Sequence, residues 1–192
     1  MNSQRGQFEA MVFYNWVRDL LVRRPALFNG LPYVIEEGDT LRVFRKENAG
    51  KAYTTGFAID TEWLMGPGVA FFANLSATYG QDQFYGEPLS GIPPLNGIVG
   101  ARWQRNRFWF EANMRFASAQ TRLSSEDQAD LRIPEGGTPG WSTLNLRAGW
   151  NATENFSLRL GLLNLLDTNY REHLSGFNAP GRNLYLGGEV KF

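Results

Sequence analysis

Cysteine is absent from the 192 residues, which removes disulfides, thiolate metal sites and thiol nucleophiles together. Histidine occurs once, as His173, so a multi-histidine metal centre is excluded as well. An excess of one charge is also missing: 19 Lys+Arg stand against 19 Asp+Glu, a formal net charge of zero. That balance argues against a strongly basic nucleic-acid binder and against an acidic solvating tail. The opening MNSQRGQFEA lacks an apolar stretch after a charged start, so no signal peptide is expected here. The chain is then either cytoplasmic or a later part of a longer exported one. No phosphate loop, zinc spacing or catalytic triad is present.

Long hydrophobic runs are scarce. The longest uncharged stretch, Trp63 to Gln81, is 19 residues, near the length of a membrane-crossing helix. Gly66-Pro67-Gly68 interrupts it, and the residues beyond alternate, so the stretch reads as a turn and a strand. Mean hydropathy is −0.35, the value of a soluble protein. That inference does not hold for membrane β-barrels, where only every second residue meets lipid.

The chain is rich instead in aromatic residues, 14%, and carries a strong period of two. Val69, Phe71, Ala73, Leu75, Ala77 and Tyr79 alternate with Ala70, Phe72, Asn74, Ser76 and Thr78. The same pattern runs through Tyr53–Trp63, Val99–Trp103, Phe108–Phe116, Leu144–Trp150, Phe156–Leu163 and Leu184–Phe192. In these segments every charge falls in the polar register, among them Glu62, Arg102, Glu111, Arg115, Arg147 and Arg159. A helix would scatter those charges around its axis, so strands are predicted. Phe8 to Leu20 is also read as a strand, although Met11, Phe13 and Val17 occupy its second register. About eight strands of roughly 8 to 13 residues result, near what a tilted strand needs to cross a bilayer.

The connections alternate in length. Gly66-Pro67-Gly68, Arg105-Asn106 and Asn151-Ala152-Thr153-Glu154 are short, whereas 21–39, 82–95, 119–140 and 169–183 are long. Outer-membrane barrels have short periplasmic turns and long outer loops. A soluble lipocalin-type barrel also alternates, with its apolar register inward. Aromatics near strand ends (Trp63, Tyr79, Phe108, Phe116, Trp150, Phe156) and long loops all on one side favour lipid outside.

The C-terminal region resembles a known family. Leu160-Gly-Leu-Leu-Asn164-Leu-Leu-Asp167-Thr-Asn-Tyr170-Arg-Glu-His173 is similar to the N-L-x-D-x-x-Y hairpin of TonB-dependent outer-membrane receptors, and Pro180-Gly181-Arg182 to their P-G-R approach to the last strand. Ile92-Pro93-Pro94-Leu95 resembles their I-P-P descent. Asn48 through Ala52, Gly56 and Asp60 resembles their N-x-x-x-A-x-x-x-G-x-E strand, with Ala58 and Asp60 departing from it. The resemblance implies an all-β fold: residues 1–192 as an antiparallel transmembrane segment, the C-terminal third of a 22-stranded barrel, with plug domain and signal peptide absent. It implies uptake of a siderophore-like metal chelate or another scarce nutrient across the Gram-negative outer membrane. The coupling protein TonB would act through the missing N-terminal part, and no cofactor or nucleic acid is implied. Tyr185, Gly187, Val190 and Phe192 resemble the terminal signal read by the barrel-assembly machinery.

Individual residues keep more than one reading. His173, beside Glu172, and the aromatics Phe84 and Tyr85 are possible ligand contacts in loops, or simply solvated or loop-packing side chains. Glu126, Asp127 and Asp130 form an acidic loop patch, as a solvated loop also would. The polar-register arginines either line a path for an anionic chelate or pair with carboxylates and a plug. Asn74-Leu-Ser and Asn151-Ala-Thr match the glycosylation tripeptide but lie in a strand and a short turn. The function classes are a transporter segment, a stand-alone eight-stranded barrel of structural or adhesive role, and an outer-membrane enzyme. The enzyme needs a strand histidine beside a nucleophile, and His173 does not lie in a strand. A transporter fragment predicts two unpaired sheet edges, whereas a stand-alone barrel predicts a ladder joining the first strand to the last.

Overall fold

The structure, a computed structural model, describes residues 6–48 and 50–191. In chain order its strands are β1 (Gly6–Arg18), β2 (Leu21–Pro25), β3 (Tyr33–Glu36), β4 (Asp39–Arg42), β5 (Phe44–Asn48), β6 (Lys51–Gly66) and β7 (Val69–Asp82). Next come β8 (Asn96–Arg105), β9 (Phe108–Ala117), the short helix α1 (Ser125–Ala129), β10 (Trp141–Asn151), β11 (Phe156–Leu163) and β12 (Asn183–Val190). Eight of the strands form one antiparallel sheet in the order β1-β6-β7-β8-β9-β10-β11-β12.

Register sorts the side chains onto two faces. Partners across the sheet include Trp63 with Phe71, Phe71 with Ala101, Ala101 with Ala112, Ala112 with Leu146, Leu146 with Leu162, and Leu162 with Leu184. Directly paired residues share a face, so the separate apolar registers of the sequence fuse into one continuous face. From Phe8 to Trp16 on β1 across to Leu184–Val190 on β12, that face carries no charge between the strand ends. Glu62, Arg102, Glu111, Arg115, Arg147 and Arg159 all lie on the opposite face.

No second layer covers the sheet. Ala52, Ala70 and Ile133 are the buried apolar residues among those described, while Phe71, Phe110, Leu160 and Leu186 remain well exposed. A soluble domain hides such side chains, so this is a wall built for contact on its apolar side. Among the described residues no helix is long and apolar enough to cross a membrane, which says nothing about strands. The edges β1 and β12 have no ladder between them among the described residues. A stand-alone closed barrel needs that ladder, and the open edges are those expected of a fragment.

Three details differ from the sequence reading. The first strand ends at Arg18, and the excursion expected over 21–39 extends to Gly50 and contains four short strands. β2–β5 pairing keeps the offset of β1–β6, with Arg18 opposite Lys51 and Leu21 opposite Asn48. Asp19 (φ 56°) and Gly50 (φ 73°) take left-handed backbone at the junction, joined by Asp19 N–H donating to the Gly50 carbonyl at 2.7 Å. The turn after β8 is centred on Asn106-Arg107, not Arg105-Asn106, because Asn106 supplies the left-handed residue (φ 54°). The last long loop begins at Asn164 (φ 49°), where β11 stops, and not at 169.

Candidate functional site

The charged face is organised in cross-strand rows. Arg102 stands opposite Glu111, which stands opposite Arg147. The Arg102 guanidinium lies 2.7 Å from one Glu111 carboxylate oxygen, and Arg147 lies 3.3 Å from the other. Glu111 is buried at 7% exposure while both arginines reach partly into the open. A buried carboxylate flanked by two cations meets the requirement that an interior charge be paired.

From Glu111 a line of amides leads toward the long-loop end. Asn113 Nδ2 donates to Glu111 Oε1 and Asn145 Nδ2 donates to Asn113 Oδ1, both at 2.9 Å. Asn145 Oδ1 in turn accepts the Asn164 backbone N–H at 2.9 Å. Asn113, Asn145 and Asn164 are all buried, so each bond is made away from water. Asn164 then closes the last loop on itself: its Nδ2 donates to the carbonyls of Thr168 (2.9 Å) and Pro180 (3.2 Å). Asp167 Oδ1 accepts the Arg182 backbone N–H at 2.7 Å. The N-L-x-D-x-x-Y and P-G-R segments are therefore two halves of one clamp, the first supplying side chains and the second backbone.

Where this clamp meets loop 118–140, a cleft of about 350 Å³ opens, lined by Arg115, Trp141, Glu172, His173 and the Pro93-Pro94 pair. Arg115 lies 3.0 Å from Glu172 and 5.5 Å from the Trp141 ring centre, and Trp141 packs on Tyr170 at 4.2 Å. His173 Nδ1 is hydrogen-bonded with the Thr138 hydroxyl at 2.9 Å, and its Nε2 is buried without a partner. Burial holds the imidazole below its ordinary range, against a smaller upward pull from Asp127 and Asp130.

Phe84 and Tyr85 do not enter this cleft. They pack edge-on at 4.7 Å beside the 19–50 excursion. The Tyr85 hydroxyl donates to Glu47 at 2.5 Å, which raises the phenol's pKa and, with Arg45, lowers that of Glu47. Over the Tyr85 ring, at 3.5 Å, sits the Arg24 guanidinium. Arg24 reaches Asp82 at 3.2 Å, pairs with Glu87, and lies 3.3 Å from the Ser125 hydroxyl. Asp82 is 1% exposed and also accepts the backbone N–H groups of Phe84 and Tyr85. One side chain thus ties the first excursion to the two loops beyond it, a junction without any signature in the sequence.

Of the acidic patch, Asp127 is buried in a capping box with Ser124 and accepts from Ser90 and the Gly91 N–H. Asp130 pairs with Arg132, which holds its carboxyl below the usual range, and Glu126 faces Arg23 at 3.6 Å. The patch is structural. Among the described residues no group of three or more His, Asp or Glu side chains is arranged to hold a metal. Arg159, one strand over from Arg147 and one row nearer the short turns, pairs with Glu189 at 2.8 Å. Glu62 shares its row with Phe72, and Tyr185 lays its ring over Gly161, where a Cβ would collide with it. Gly187 and Val190 lie on the exposed edge strand β12, and Phe192 falls outside the described residues.

Fold and faces together define an antiparallel membrane-barrel wall, charge-free on one side and polar on the other. The chain belongs to the TonB dependent receptor-like β-barrel family, whose model matches residues 1–165. Members of that family are transporters and not enzymes. No curated relative matches the chain. Among solved structures it is similar to the copper transporter OprC, with 19% identity and a TM-score of 0.82, covering 100% of this chain and 30% of that one. It is also similar to a mutant of the ferric enterobactin receptor PfeA from Pseudomonas aeruginosa in complex with enterobactin (16% identity, TM-score 0.75, covering 100% and 30%). The FrpB iron transporter from Neisseria meningitidis matches at 13% identity and a TM-score of 0.68, with the same coverage. The chain thus spans about 30% of the length of the structures it matches.

Proposed function

We propose that this chain is the C-terminal part of the barrel of a TonB-dependent receptor in the Gram-negative outer membrane. It takes up a metal chelate of the siderophore kind or a similarly scarce nutrient, energised through TonB by the part of the receptor carrying the plug. The observation that carries this reading is the single charge-free face backed by a paired, charged one, the division needed between lipid and a hydrated lumen. The charged face, with Glu62, Arg102, Glu111, Arg115, Arg147 and Arg159, then faces lumen and plug. The long loops face the cell exterior, and Arg115, Trp141 and His173 are placed in the cleft where an incoming chelate first meets the wall. Phe84 and Tyr85 contribute to the loop surface around it. Tyr185, Gly187, Val190 and Phe192 serve as the recognition strand for the barrel-assembly machinery, β12 offering a free edge for pairing.

The test is accumulation of labelled metal by cells making the receptor, supplied with ferric enterobactin or copper(II). Uptake is expected for one of them, lost when TonB is deleted, with the apparent affinity weakened roughly tenfold by Arg115→Ala through loss of a charged contact. Failure to accumulate either metal refutes the metal-chelate reading, and uptake indifferent to TonB refutes the proposal as a whole.

A further inference from the structure

The charge-free face is not smooth. Ala101, Ala112 and Ala148 form the floor of a depression of about 460 Å³, walled by Trp103, Phe110 and Leu160. Its lining side chains come from two neighbouring cross-strand rows, one through Ala101 and Ala112, the other through Trp103, Phe110, Ala148 and Leu160. Three small side chains between large ones leave a groove with almost no polar wall, which water does not favour.

The next row toward the short turns changes character. Arg105 is paired with Phe108, which is paired with Trp150, so all three lie on the same face as the groove. Phe108 and Trp150 stack with ring centres 6.1 Å apart and planes within 6°. Rows on one face are about 7 Å apart along a strand, so Arg105 stands close to the mouth of the groove. Arg107, in the adjoining turn, is fixed at the same end by donating to the Ala152 carbonyl at 2.7 Å. Glu154 is the carboxylate of the neighbouring turn, yet among the described residues no ion pair joins a carboxylate to Arg105 or Arg107. A cation on the rim of a face free of charge between the strand ends calls for an anion that arrives together with hydrocarbon. A phospholipid has that composition.

We propose that this groove holds an acyl chain of one discrete phospholipid, with Arg105 and Arg107 binding its phosphate in the leaflet at the short-turn side. The inference rests on the membrane placement proposed above. Trp103 and Trp150 border the site at the depth where indole rings settle between hydrocarbon and headgroup. The alanine floor lets the chain lie against the wall along its length.

The test uses the receptor purified from outer membranes as the cell makes it, stripped by detergent exchange, titrated with phosphatidylglycerol and weighed intact by native mass spectrometry. One lipid is expected to bind more tightly than the rest. Arg105→Gln should weaken that site about fivefold, the share of one interfacial cation. Ala112→Phe fills the groove without touching charge and should weaken it comparably. Ile59→Phe, on the same face outside the groove, should leave it unchanged. Binding unaltered by both Arg105→Gln and Ala112→Phe overturns the proposal, as does a dimer that Ala112→Phe dissociates. Should Ala112→Phe fail to fold, Arg105→Gln decides alone. A stripped receptor that takes up no lipid at all refutes the membrane placement itself, a result distinct from the loss of one tight site among many.

Discussion

The side-chain amide of Asn164 donates to the Pro180 carbonyl at 3.2 Å, joining the start of the last long loop to its end. The same side chain accepts from the Thr168 N–H at 2.9 Å, and the residue has φ 49°, a conformation asparagine tolerates better than most. Asn164→Ala removes three hydrogen bonds made by a buried side chain and is expected to cost about 2–3 kcal/mol. Hydrogen exchange over 164–182 and denaturant midpoints of the folded receptor check this. Protection equal to that of the parent protein counts against the clamp.

Glu111→Gln is expected to cost about 1–2 kcal/mol. It leaves Arg102 and Arg147 without their shared counter-charge, although both are exposed enough for solvent to absorb part of the loss. The amide still accepts from Asn113, so the line toward Asn145 should survive. Unfolding at low and high salt measures it, with the difference from the parent shrinking as salt rises.

Leu160→Arg should cost about 2–4 kcal/mol if that position lies near the membrane midplane, whereas Ser157→Ala should be mild. Leu160 is on the charge-free face and Ser157 on the other. Refolding titrations into lipid vesicles decide the matter, and equal costs at the two positions would reverse the assignment of the faces.

The cleft should loosen in acid. Burial lowers the His173 pKa from its ordinary value of 6.5, so the unfolded loop takes up a proton before the folded one does. Its contribution to loop packing is complete above about 6.5 and is lost as pH falls through the lowered value. The imidazolium carries a proton on both nitrogens, so in that form Nε2 is a buried donor with no acceptor. Protection against exchange over 164–182, taken relative to the intrinsic rate at each pH, should fall between pH 7.5 and pH 5, and His173→Gln should remove that dependence. Equal protection at both pH values would refute it.

The hairpin alternation and the two faces are legible in the sequence because lipid and water impose a strict period of two, whereas the open edges follow from the family resemblance and not from the pattern. Placing every charge of those segments in one register is enough to orient each strand. The β2–β5 ribbon is not legible. Its residues Arg23, Arg24, Arg45, Lys46 and Glu47 offer no apolar register, and it forms by continuing the pairing of β1 and β6. The Asn113–Asn145–Asn164 line is hidden for another reason. Separations of 32 and 19 residues become hydrogen bonds only through the register of β9, β10 and the loop after β11. The four motifs are readable as strings, but that Asn164 and Asp167 exist to hold Pro180 and Arg182 is visible only in three dimensions.

Arg24 joins three parts of the chain that lie far apart in sequence. Because it bonds to Asp82, Glu87 and Ser125 and covers Tyr85, the first three excursions share one side chain, and Tyr85–Glu47, Arg23–Glu126 and Ser90–Asp127 tie them again alongside it. The long-loop end is thus cross-braced, and the loss of any one tie leaves the others in place.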